Sequence, residues 1–128
     1  MPARSLETPP VYVTESQYNQ LFSFAAVSAA GGAALLRDEL ERAVLVADDD
    51  ANAFVRLDSI VRYHDLISGR ERTVQIVAPA LGDIEQNRLS VLTPTGAALV
   101  GLAEGACLKW AGEDGRPRAV QVLQVVRS

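Results

Sequence analysis

Two side chains in the 128-residue sequence could pair as nucleophile and base: its one cysteine, Cys107, and its one histidine, His64. A thiol or a serine hydroxyl becomes nucleophilic when a neighbouring imidazole takes its proton. His64 alternates with Val61 and Tyr63 in a strand-like run, which sends it to the polar face of a sheet. Cys107 falls in another strand, where a buried, inert thiol is the ordinary outcome. One cysteine excludes an internal disulfide, and with a single histidine it falls short of the about four ligands of a Cys/His zinc site. Asp48-Asp49-Asp50 could hold Mg²⁺, or help hold one in a partner's active site. Three successive acids converge only where the backbone bends them together, so a solvated linker is the simpler reading. Gly96 and Gly101 lack the lysine and the spacing of a phosphate-cradling loop. Arg62, Arg70, Arg72 and Arg88 make a modest basic cluster, read as a solvated sheet edge or a face for acidic protein. No catalytic residue, metal or cofactor is expected.

The elements that would position these groups divide the chain in two. Thr14 and Gln17 have the Thr-x-x-Gln spacing of a capping box, with Val13 and Tyr18 placed as a hydrophobic staple. Tyr18, Leu21, Phe22, Ala25, Ala26 and Ala29 then line one helical face, and Gly31-Gly32 should end the helix. A second helix from Ala33 carries Leu36, Leu40, Ala43 and Ala47 as its apolar seam. Its solvent side offers Arg37–Glu41 and Asp38–Arg42 as ion pairs. Together they predict an antiparallel helical hairpin with arms of about 21 Å. Beyond Phe54 the period falls towards two. Ile60–Leu66 and Thr73–Ala78 read as a strand pair over Ser68-Gly69, followed by a polar loop at 82–87 and a short strand at Leu89–Leu92. Thr93 and Pro94 suit the cap and first position of a helix running to Ala103. Cys107–Ala111 and Ala119–Val126 form a last hairpin over Gly112–Gly115. The expected fold class is α+β: residues 1–53 as tail and helical hairpin, residues 54–128 as an antiparallel sheet with one inserted helix.

Composition agrees with a folded, soluble chain: 48% apolar, 22% charged, net charge −4. That balance gives no general attraction for nucleic acid or anionic lipid. It is also unevenly spread: three basic against eight acidic residues up to position 53 give −5, and nine against eight thereafter give +1. Residues 16–36 are uncharged over 21 positions, but Gln17, Asn19, Gln20 and the Gly31-Gly32 pair argue against a membrane span. The first ten residues lack the apolar core of a signal peptide, and a cytoplasmic setting is the default.

The run Asn87-Arg88-Leu89-Ser90-Val91-Leu92-Thr93-Pro94-Thr95-Gly96-Ala97-Ala98-Leu99-Val100-Gly101-Leu102 resembles the signature of the Gre-factor C-terminal domain. More closely, the chain resembles the Rnk-type regulators of nucleoside diphosphate kinase in bacteria. Leu36–Ala43 and Ser59–Tyr63 support this, and the resemblance covers about residues 35–126. It implies a C-terminal fold like that of FK506-binding proteins, preceded by a short coiled-coil hairpin, and RNA polymerase, gripped at its secondary-channel rim, as partner. The contact would fall on Ser90, Leu92, Thr93, Pro94, Thr95 and Gly96. Gre factors carry acidic residues at the tip of a much longer hairpin, where they help position Mg²⁺ for transcript cleavage. Residues 28–33 here hold no carboxylate. The resemblance therefore implies a non-enzymatic regulator that competes with Gre-type factors without stimulating cleavage. Two departures concern docking: Leu92 stands where an acid is common, and Gly105-Ala106 where Gly-Asp is frequent. Direct DNA, RNA or membrane binding is not expected. The chain is expected to be a monomer, with weak self-association through the hairpin as an alternative. Of the other classes, an interaction module would oligomerise through its alanine-rich hairpin. A prolyl isomerase would need an aromatic-lined pocket, yet four of the seven aromatics lie in the first 24 residues.

Overall fold

The computed structural model describes residues 9–28, 31–112 and 114–126. Strand β1 (Tyr12–Thr14) leads directly into helix α1 (Glu15–Ala26), and helix α2 (Ala33–Glu41) precedes strand β2 (Val44–Val46). The Thr14 hydroxyl caps α1 by accepting the Gln17 N–H at 3.3 Å. The reciprocal half of the capping box is not made: Gln17 Oε1 accepts the Leu57 N–H at 3.1 Å and so tethers α1 to the second half of the chain. Helix α1 stops at Ala26, ahead of the glycines, and α2 stops at Glu41, short of Ala43 and Ala47. Val44, Leu45 and Val46 instead pair in parallel with Tyr12, Val13 and Thr14. β-Branched residues favour this extended backbone over a fourth helical turn once a partner strand lies within reach. The expected α2 ion pairs are replaced as well. Arg37 donates to the Ala25 carbonyl at 2.6 Å, and Arg42 bridges Glu39 and the Pro9 carbonyl, at 2.5 and 2.6 Å.

The second half builds a five-stranded sheet from β3 (Ile60–Asp65), β4 (Glu71–Val77), β5 (Arg88–Ser90), β6 (Cys107–Ala111) and β7 (Pro117–Val126), in the order β5-β4-β3-β7-β6. Three of its pairings are antiparallel, but β5 runs parallel to β4, which corrects the all-antiparallel expectation. A tight turn would have reversed the chain. Two 3₁₀ turns, Pro79–Leu81 and Ile84–Gln86, and left-handed Asn87 carry it back along the edge first. Helix α3 (Pro94–Leu99) is also shorter than its sequence suggests. Gly101 adopts φ +89°, and a Cβ on it would stand 2.3 Å from the Val11 side chain. The Tyr12 N–H donates to the Gly101 carbonyl at 2.8 Å, so β1 lies where a longer helix would continue.

Period two holds along β3, where Val61 and Tyr63 are buried and Arg62 and His64 face outward. The core joins them to Val74, Ile76, Leu108, Val120 and Val122 of the sheet, to Ala97, Ala98 and Leu99 of α3, and to Leu21, Ala25, Leu36 and Leu40 of α1 and α2. Thus α1 and α2 pack on each other and into the same core as the sheet. Among the described residues no helix is long and apolar enough to cross a membrane.

Candidate functional site: the corner between β5 and α3

Residues 90–97 form a corner fixed almost wholly by its own hydrogen bonds. The Ser90 carbonyl accepts both the Thr93 N–H (3.0 Å) and the Thr93 hydroxyl (2.7 Å). Ser90 Oγ accepts the Leu92 N–H at 3.0 Å, and Thr93 Oγ1 accepts the Gly96 N–H at 3.0 Å. A Cβ on Gly96 would come within 2.1 Å of the Ser90 oxygen, so the corner closes only around glycine. Outside bonds then hold it from two sides. The Val91 N–H donates to Val77 of β4 at 3.0 Å, and the Gly32 N–H, just before α2, donates to the Leu92 carbonyl at 2.8 Å.

The six residues anticipated from sequence lie together, but they differ in exposure. Pro94 is exposed, and Ser90, Thr93 and Thr95 are half-buried. Leu92 and Gly96 are buried and shape the corner from within. Sequence reasoning missed Trp110. It stands half-buried on β6 and lines a cavity of about 370 Å³ with Thr93, Pro94, Thr95, Asp114 and Arg118. It also lines one of about 330 Å³ with Ala34, Leu35, Asp38 and Pro94. The only signal for it was its being the sole tryptophan of the chain.

The remaining candidates resolve into structural roles. His64 and Cys107 both pair with Gln121, one from each side of β7. Two strand spacings keep them about 10 Å apart, against the roughly 3 Å that proton transfer needs. Asp48 Oδ1 accepts the Ser16 N–H at 3.0 Å, and the carbonyls of Asp48 and Asp50 accept from the buried Arg56 guanidinium at 3.4 and 2.7 Å. That guanidinium lies 4.1 Å from the centre of the Phe54 ring. Among the described residues no three His, Cys, Asp or Glu side chains gather as a metal site would require. Arg62 of the basic cluster pairs with Glu71 at 3.0 Å. Burial raises the Tyr63 hydroxyl above its ordinary pKa, against the opposing pull of Arg72. Burial likewise raises Glu39, although Arg42 lowers it.

A mixed sheet, one helix inserted after a Thr-Pro corner and a preceding helical pair define the class. Residues 38–127 match the family described as transcription elongation factor GreA/GreB, C-terminal, and the chain belongs to it. It is 32% identical over 91 residues to the "Regulator of nucleoside diphosphate kinase" of Escherichia coli (strain K12), covering 70% of this chain and 67% of that protein. Over 74 residues it is 32% identical to the "Transcription elongation factor GreA" of Thermosipho africanus (strain TCF52B), spanning 58% of this chain and 47% of that one. A solved transcription elongation factor GreA/GreB from Nitrosomonas europaea superposes with a TM-score of 0.70 at 27% identity, over 93% of this chain and 99% of that chain.

Proposed function

We propose that this protein is a non-enzymatic regulator of transcription that binds bacterial RNA polymerase at the rim of its secondary channel. It would compete there with Gre-type factors without stimulating transcript cleavage. On this reading residues 54–128 carry the docking corner, with a fold like that of FK506-binding proteins, and residues 1–53 are a tail and helical hairpin.

The observation that carries the reading is the outer edge of the corner. Within the segment matched to the family, Pro94 is exposed and Thr95 half-exposed on a backbone held by four internal hydrogen bonds. A stiff edge loses little conformational entropy on docking. The helical pair supports the second half of the proposal. Helices of 12 and 9 residues reach about 18 and 14 Å, and residues 27–32 between them carry no carboxylate to hold a metal ion. Gly32 is bonded back to Leu92, which keeps the start of α2 against the body of the protein.

Capture by immobilised core polymerase tests the reading, with the wild-type chain beside the Thr93→Ala/Pro94→Ala double variant. The wild type should bind and be displaced by a Gre factor, and the double variant should bind more weakly. Undiminished binding by the double variant removes the corner from the contact.

A further inference from the structure

We infer that the corner is one wall of a composite groove, whose other walls are α2 and the β6–β7 hairpin and whose central ridge is Trp110. Its occupant is a segment of the polymerase that sets an apolar side chain against Pro94 and Trp110 and a lysine or arginine against Asp38. The inference rests on the polymerase reading above and names what the partner must present.

Three observations support it. Pro94 and Trp110 each line both cavities, so the cavities are two halves of one depression lying across the corner. The half beside α2 is floored by Ala34 and Leu35 and ends at Asp38, an exposed carboxylate that joins none of the ion pairs among the described residues. On the far half, Asp114 lies 3.8 Å from Arg116 and 3.7 Å from Arg118, so its carboxylate already has partners. Asp38, at the α2 end, is the lining carboxylate that no ion pair among the described residues engages. A nucleic-acid backbone would be repelled there, whereas a basic side chain flanked by an apolar one is complementary in both respects. An apolar side chain seated between proline and tryptophan is also the setting in which a few residues dominate binding.

The experiment measures equilibrium binding of the full-length chain to core polymerase, with four variants beside the wild type. Ala34→Arg fills the groove from an exposed helix position, and its guanidinium lies four residues before Asp38, a spacing that supports the helix. Asp38→Lys reverses the complementary charge at an exposed site. Trp110→Ala removes the ridge, with circular dichroism to check its fold. Glu85→Lys makes an equal charge reversal on an exposed turn that lines neither cavity. Ala34→Arg, Asp38→Lys and Trp110→Ala should each weaken binding by about tenfold or more, the loss of a central interface contact, while Glu85→Lys should leave it unchanged. Wild-type affinity in Ala34→Arg and Asp38→Lys, with the Thr93→Ala/Pro94→Ala variant still impaired, would overturn the groove and leave the corner standing. No binding by the wild-type chain would overturn both.

Discussion

Gly32 offers a sharp perturbation, because its backbone has φ −91°, a value open to any residue, and only its surroundings exclude a side chain. A Cβ at this position would lie 2.3 Å from the Thr93 carbonyl oxygen and 2.5 Å from that of Leu92. Both are backbone atoms of the corner, which four hydrogen bonds hold in place, so neither can swing aside as a side-chain end would. Gly32→Ala must therefore push α2 away from the corner and stretch the 2.8 Å bond from the Gly32 N–H to Leu92. Forcing a methyl into packed structure costs about 1–3 kcal/mol. The strained hydrogen bond adds about 0.5–1.5 kcal/mol, for a loss of about 1.5–4.5 kcal/mol together. With a urea dependence of about 2 kcal/mol per molar, the unfolding midpoint should fall by about 1–2 M at unchanged slope. Gly82→Ala is the control: its φ is −63° and its nearest obstacle is the Ser90 Cβ at 3.3 Å. It should stay within about 0.5 kcal/mol of wild type. A Gly32→Ala protein as stable as that control would refute the claim that α2 and the corner are pressed together.

Three further outcomes follow from the geometry. Arg56→Lys keeps the charge but loses the fork that reaches both the Asp48 and Asp50 carbonyls and the face over Phe54, and urea titration should show a loss of about 1–3 kcal/mol. Thr93→Ala should cost about 1 kcal/mol by removing the cap of α3, whereas Thr93→Ser, which keeps the hydroxyl, should recover most of it in the same titration. Glu39 is raised above 4.5 in the folded protein by burial, so between 4.5 and its folded value the native state holds more of the proton than the unfolded chain. Its contribution to stability is thus favourable below 4.5 and declines as pH rises through that window. Glu39→Gln should abolish that decline, seen as a flatter dependence of the urea midpoint on pH than the wild type shows.

Local signals carried much of this structure into view. The Thr14 and Thr93 caps, the alternation along β3, and the hairpin of β6 and β7 depend on neighbours within a few residues, and all were legible before any coordinates. What escaped depends on partners far along the chain. The β1–β2 pair joins Tyr12 to Val44, and nothing in either three-residue stretch announces the other. Ala43 and Ala47 fit a helical seam by spacing, yet the adjacent Val44–Val46 found a strand to pair with. Gln17 had a local use in the capping box and was drawn instead to Leu57, 40 residues away. The same holds at the candidate site. Thr93-Pro94 marks its own corner, but the company of Trp110 and Asp38 follows only from the packing of α2 and β6 around it. Leu92 and Gly96 entered the contact through the family resemblance, and their burial follows from packing that no local pattern announces.

The family segment and the buried core have different borders in this protein. The segment that matches the family begins at Asp38, partway along α2. Val11, Val13, Leu21, Ala25, Ala33 and Leu36 all precede it and all sit in the common core. A fragment trimmed to the shared segment would begin inside a helix, lose the strand that crosses Gly101, and open the inner face of its sheet to water. The stretch that defines the family is thus shorter than the stretch that encloses its core.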